Sequence, residues 1–123
     1  MTLGRAILQH RILKTERVFI PEWEGEIIVR QLSSAEVKAL QPLALQSVDI
    51  EKKQVLNADA LNKFRYQLIA QCWIDEEGQR VIGDNETDLL DNQAFSAIER
   101  IADAAARLNN LLGFDNLETT VKN

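Results

Sequence analysis

The chain is poor in the residues that build most recognisable sites. It has one cysteine, Cys72, and one histidine, His10. A lone cysteine excludes an intrachain disulfide and fits a chain held by its core in a reducing cytoplasm. A lone histidine cannot by itself make a Cys/His zinc site or a Ser-His-Asp triad, so His10 reads as a surface residue. The two prolines and five glycines are scattered as punctuation, not gathered into linkers. No GxGxxG or GxxxxGK[ST] run is present to cradle a phosphate. No apolar run approaches the roughly 20 residues of a membrane helix. Gln9, His10 and Arg11 interrupt the apolar start too early for a secretory leader. Basic excess is also missing: the formal charge is −5, and Lys52-Lys53 is too short to form a nucleic-acid patch.

What is present is ordinary globular material. In 123 residues, 46% are hydrophobic and 27% charged, enough for one packed domain. The expected boundaries are a single domain over residues 1–113 and a loose tail over 114–123. No repeat or low-complexity segment interrupts it.

Periodicity predicts an α+β fold, mainly helical, with about three main helices and one or two small hairpins. Residues 2–13 carry Leu3, Ile7 and Leu8 at helical spacing and predict a short helix that must dock or fray. Residues 17–32 predict a β-hairpin. Val18 and Ile20 on one strand, and Ile27 and Val29 on the other, line one face, with Glu22-Trp23-Glu24-Gly25 as the turn. Ser33-Ser34-Ala35-Glu36 is a capping box that opens a helix with a Val37, Leu40, Leu43, Ala44 stripe. Pro42 should kink that helix or end it near Gln41. Residues 48–56 read as charged and irregular. Asn57 caps a helix over 58–73, with Leu61, Phe64, Leu68, Ile69 and Cys72 on its inner face. Asp75-Glu76-Glu77-Gly78 is a turn, followed by a second short hairpin or an extended loop. Glu86 to Asn92 form a helical turn with Leu89 and Leu90. Asn92 then caps the last helix, in which Ile98, Ile101, Ala105, Leu108 and Leu112 repeat at three- and four-residue steps, and Gly113 stops it.

None of this supplies chemistry. Cys72, on an apolar helix face, reads as core and not as a nucleophile. The acidic groups Glu22/Glu24/Glu26, Asp75/Glu76/Glu77 and Asp84/Glu86/Asp88 lie in turns and read as solvated; the calcium-loop ligand pattern is absent. No catalytic residue, cofactor site or metal site is expected. The stripe of the final helix reads as core, with a self-association or partner seam as the rival reading. Trp23, in a polar turn, is either folded back onto the domain or a contact residue. Trp23, Trp73 and Phe114 are the candidate partner contacts, each a large aromatic beside a turn or a chain end.

The order of segments resembles a known family. Val18-Phe19-Ile20-Pro21-Glu22-Trp23 is followed by Ile27-Ile28-Val29-Arg30-Gln31-Leu32-Ser33 and a helix opening at Ser34-Ala35-Glu36. Later come Ile69-Ala70-Gln71-Cys72-Trp73-Ile74-Asp75-Glu76-Glu77-Gly78-Gln79-Arg80-Val81-Ile82 and a final helix with Ile101-Ala102-Asp103-Ala104-Ala105-Ala106-Arg107-Leu108-Asn109-Asn110-Leu111. Over roughly residues 3–112 this layout looks like the tail assembly chaperones of long-tailed bacteriophages. The resemblance implies a non-enzymatic protein of the host cytoplasm that binds the tape measure protein, keeps it soluble and helps recruit tail tube subunits. It also implies self-association, release before the virion is finished and, in many members, a frameshift-extended second product that meets the tube protein. Neither nucleic acid nor membrane is an implied partner. The alternatives are a structural tail completion or connector subunit, a small regulator (for which no basic DNA-reading helix is present) and an enzyme.

Overall fold

The computed structural model describes residues 2–49, 51–52 and 54–111. Its architecture is α+β and mainly helical: three α-helices and a nine-residue 3-10 segment surround small antiparallel sheets.

The first hairpin forms as its alternation predicts. Strand β1 (Thr15–Ile20) pairs with β2 (Gly25–Arg30), with Val18 opposite Ile27 and Ile20 opposite Gly25. Ile20, Ile27 and Val29 are buried, and Phe19 on the other face is exposed. Pro21 ends β1 and opens a 3-10 turn, Pro21–Trp23, which closes with the Glu24 N–H bonded to the Pro21 carbonyl. The left-handed residue of the turn is Glu24, with φ 51°, and not the adjacent glycine.

Helix α1 (Ser34–Ser47) opens on the capping box. The Glu36 N–H donates to Ser33 Oγ at 3.2 Å and the Ser33 N–H to Glu36 Oε1 at 2.9 Å. The helix does not end near Gln41; it runs through Pro42 to Ser47. Pro42 and Lys38, whose carbonyl loses its helical donor, are both exposed, so water can solvate that carbonyl. Pro42→Ala is expected to stabilise the protein by about 2 kcal/mol, the interior-proline cost less the entropy that proline removes from the unfolded chain. A higher urea midpoint would show this; a lower one would mean that the proline shapes α1 for its packing.

Residues 48–56 are more ordered than their charge predicts. β3 (Val48–Asp49) pairs with β4 (Gln54–Val55). The buried Ser47 anchors this small hairpin, its carbonyl accepting from the Leu56 and Asn57 N–H groups. Val48, Leu61 and Val55 make a small apolar cluster beneath it. Helix α2 (Ala58–Cys72) is capped by Asn57, whose Oδ1 accepts from the Ala60 N–H at 3.1 Å. It packs against α1 on one side and helix α3 (Phe95–Leu108) on another.

Three element ends differ from expectation. The N-terminal segment holds only a five-residue 3-10 turn, Arg5–Gln9, with no buried residue, so Leu3, Leu8 and Ile12 remain exposed. Asn92 does not cap α3. It belongs to the 3-10 segment Asp84–Asn92, and Ala94 occupies the cap with no side-chain bond. At its other end α3 stops before Gly113: Asn110 takes the left-handed conformation (φ 59°), and the Leu111 N–H reaches back to the Ala106 carbonyl at 2.8 Å. Leu112, Gly113, Phe114 and the 113/114 domain boundary lie outside the described residues.

Helix α3 is buried well beyond a stripe. Ala97, Ile98, Ile101, Ala102, Ala104, Ala105 and Ala106 are all in the core. At 100° per residue they cover about 200° of its circumference. The alanines let the sheet and α2 approach closely, and this burial takes the stripe out of play as a self-association seam.

Candidate functional site

Helix α2 ends at Cys72, and Trp73 turns extended without a break. Trp73–Ile74 becomes β5, which pairs with β2 (Val29 opposite Trp73, Ile28 opposite Ile74) and makes the hairpin a three-stranded sheet. The chain reverses at the expected turn. Asp75 Oδ1 accepts from the Glu77 and Gln79 N–H groups, both at 2.9 Å, and Gly78 takes φ 82°, where a side chain would be strained. Arg80 bridges back to Ile74, so the short second hairpin forms.

This pairing brings the two tryptophans together. The rings of Trp23 and Trp73, fifty residues apart in sequence, stack with centroids 5.6 Å apart and planes 21° apart. Such stacking contributes about 1 kcal/mol beyond area burial. Both rings are half-buried. With Ile82, Leu89, Leu90 and Gln93 they line a groove of about 340 Å³. A second hollow of about 190 Å³ adjoins it through Leu90 and Gln93 and is lined also by Tyr66, Phe95 and Ile98. Leu89 is 52% and Phe95 66% exposed.

Polar ties hold the walls. Glu22, beside Trp23, binds Arg100 of α3 at 3.0 Å. Its carboxyl lies below the ordinary range, chiefly through a hydrogen bond from Ser96 and also through Arg100. Arg80 donates to the Ala70 carbonyl and to Asp84 Oδ1, fastening the start of the 3-10 segment to α2. The Gly83 N–H donates to Glu86 Oε1 at 2.7 Å. Tyr66 donates to Asp91 at 2.7 Å, which raises its own pKa. The acidic turn residues are therefore partly structural; Glu22, Asp75, Asp84, Glu86 and Asp91 each hold the backbone or another element.

Of the three aromatics expected to make contacts, Trp23 and Trp73 meet in one groove, and Phe114 lies outside the described residues. Sequence reading missed Ile82, Leu89, Leu90 and Gln93 as their partners. The available signal was Leu89-Leu90, an apolar pair in an otherwise polar segment.

The remaining candidates are quiet. Cys72 is buried; its thiol is pushed up to about 12 by desolvation and accepts a weak bond from Asn109, which makes it a poor nucleophile. His10 is exposed. Among the described residues no cluster of His, Cys, Asp or Glu could hold a metal ion, and no helix is long and apolar enough to cross a membrane.

The fold and site thus define a small helical scaffold that presents an aromatic groove. No protein-family model and no curated protein matches the chain. Among solved structures it is similar to the bacteriophage HK97 tail assembly chaperone, with a TM-score of 0.58 and 21% identity, covering 78% of this chain and 85% of that one. The chain has the fold of a phage tail assembly chaperone, the family its segment order resembles.

Proposed function

We propose that this protein is a tail assembly chaperone that binds the tape measure protein of its phage, keeps that long apolar chain soluble in the host cytoplasm, and helps recruit tail tube subunits before it is released. The fold shared with the HK97 chaperone carries this reading. The groove between the Trp23–Trp73 stack and Leu89 supplies what the task requires, an apolar surface on an acidic, soluble body. In this reading Trp23 and Trp73 contact the client, with Phe114 as a further contact. Self-association along one client, and contact with the tube protein through a frameshift-extended form, complete the role.

Co-expression with the tape measure protein of the same genome tests it. The expected result is a soluble client that co-purifies with several copies of this chain. Precipitation of the client regardless, with this chain present in purified virions, would replace the reading with that of a structural tail completion or connector subunit. Leu89→Ser is the cleanest groove variant because Leu89 is largely exposed, whereas truncating either tryptophan breaks their stack. It is expected to cut client recovery several-fold while leaving the melting temperature almost unchanged, since surface substitutions usually shift stability by no more than about 0.5 kcal/mol.

A further inference from the structure

The groove is lined by apolar side chains and Gln93, and the adjoining hollow by Asp91 and Glu99 together with Arg65. The 3-10 wall of the groove, Asp84–Asn92, carries Asp84, Glu86, Asp88 and Asp91 and no lysine or arginine. In a 3-10 segment residues three apart eclipse one another, so Asp88 and Asp91 share one edge while Leu89 stands over Glu86 on the next. On the opposite side Trp23 is flanked in sequence by Glu22 and Glu24. The nearby cations are already engaged. Arg100 is held by Glu22 and Arg80 by Asp84, and the half-buried Arg65 lies in the field of Glu99 and Asp103. Glu24 and Asp88 are exposed and make no ion pair among the described residues. The 3-10 wall that carries exposed Leu89 therefore bears net negative charge, with unpaired Asp88 next to Leu89 in sequence.

The two hollows adjoin at Leu90 and Gln93. Side chains one helical turn apart are separated by about 5–6 Å, a spacing suited to filling neighbouring hollows. Lysine and arginine beside such a stripe can lay their aliphatic stems on apolar surface and carry the charge out to its edge. We infer that the groove takes an amphipathic helix whose apolar stripe is bordered by lysine and arginine, so that client segments are selected by basic flanks as well as by apolar content. This rests on the client-binding reading above and specifies the chemistry of the client segment. A second copy of this chain is a poor occupant, because its net charge is −5 and its apolar α3 face is already buried.

The chain reports on its own groove, since its two tryptophans are the stacked pair. The test is a fluorescence titration of the full chain with designed helical peptides that share one leucine stripe and differ only in lysine or glutamate borders. At 50 mM salt the lysine-bordered peptide is expected to shift tryptophan emission saturably and to bind at least tenfold more tightly than the glutamate-bordered one. The gap should shrink several-fold at 500 mM salt, where exposed charges are screened. Asp88→Lys should weaken the lysine-bordered peptide at least fivefold, and Asp88→Asn by less, both with an unchanged melting temperature. Equal binding of the two peptides, or unchanged affinity in both Asp88 variants, overturns the inference. If the tape measure protein is kept soluble and Leu89→Ser abolishes this, the chaperone role stands even where charge proves irrelevant.

Discussion

Asn109→Ala is expected to destabilise the protein by about 3 kcal/mol, a large part of the 5–15 kcal/mol typical of a domain. Asn109 is the C-terminal cap of α3, and its side chain ties the helix to the strand–helix junction. Oδ1 accepts from the Leu32 N–H at 2.6 Å, and Nδ2 donates to the Ala105 carbonyl at 2.9 Å and the Arg30 carbonyl at 3.4 Å. Leu32 is buried, so its N–H loses its acceptor where water has little access. Leaving a buried donor unsatisfied costs about 1–3 kcal/mol, and each further neutral bond lost adds about 1. The measurement is urea unfolding with the m-value held as a control. A midpoint within error of the parent would mean that water replaces the amide at all of its partners.

Glu36→Ala is expected to cost about 2 kcal/mol at pH 7, and the loss should narrow as the solution is acidified. Glu36 is at once the third residue of α1, the acceptor for the Ser33 N–H, and a bidentate partner of Arg30 at 2.9 and 3.0 Å. Arg11 adds a contact at 3.1 Å. The Arg30 hydrogen bonds are the largest influence; they outweigh the desolvation penalty and, with the bonds from Ser33, bring its pKa from 4.5 down to about 2. The folded state therefore holds the carboxylate more strongly than the unfolded chain does. The stabilisation is complete above pH 4.5 and is lost as pH falls from there toward 2. That shift corresponds to about 3 kcal/mol as an upper bound, and with a quarter of the side chain exposed about 2 is expected. Glu22 and Glu76 are lowered in the same direction. Wherever unfolding is measured between pH 7 and 2, the variant should show the flatter profile; parallel profiles would remove Glu36 as a source of acid sensitivity.

Both predictions converge on the joint between β2, α1 and α3, and the sequence showed only half of it. The capping box was legible because its partners lie three residues apart. The Asn109 tie joins residues 77 apart to Leu32, and nothing local marks that asparagine. The same rule explains the errors. Asn92 is a good cap by residue type, yet Leu90 beside it is buried against the core, and tertiary packing keeps the segment in its 3-10 turn. The charged stretch at 48–56 becomes a hairpin because the buried Ser47 carbonyl gathers two N–H groups from residues beyond it.

By itself, the sequence determined the local elements. Alternating apolar residues made the hairpin, 3.6-residue periodicity made α2 and α3, and Ser33 and Asn57 set two helix starts. Segment order also pointed to the chaperone family whose fold the chain shares. The tertiary structure alone decided that the apolar face of α3 is spent on the core and that Trp73, leaving α2 directly into β5, stacks on Trp23 once β5 has joined the sheet. Local spacing is enough to set a helix stripe or a strand face, because those contacts lie within a few residues. A groove assembled from residues 23, 73, 82, 89 and 93 exists only once long-range pairing has closed the sheet.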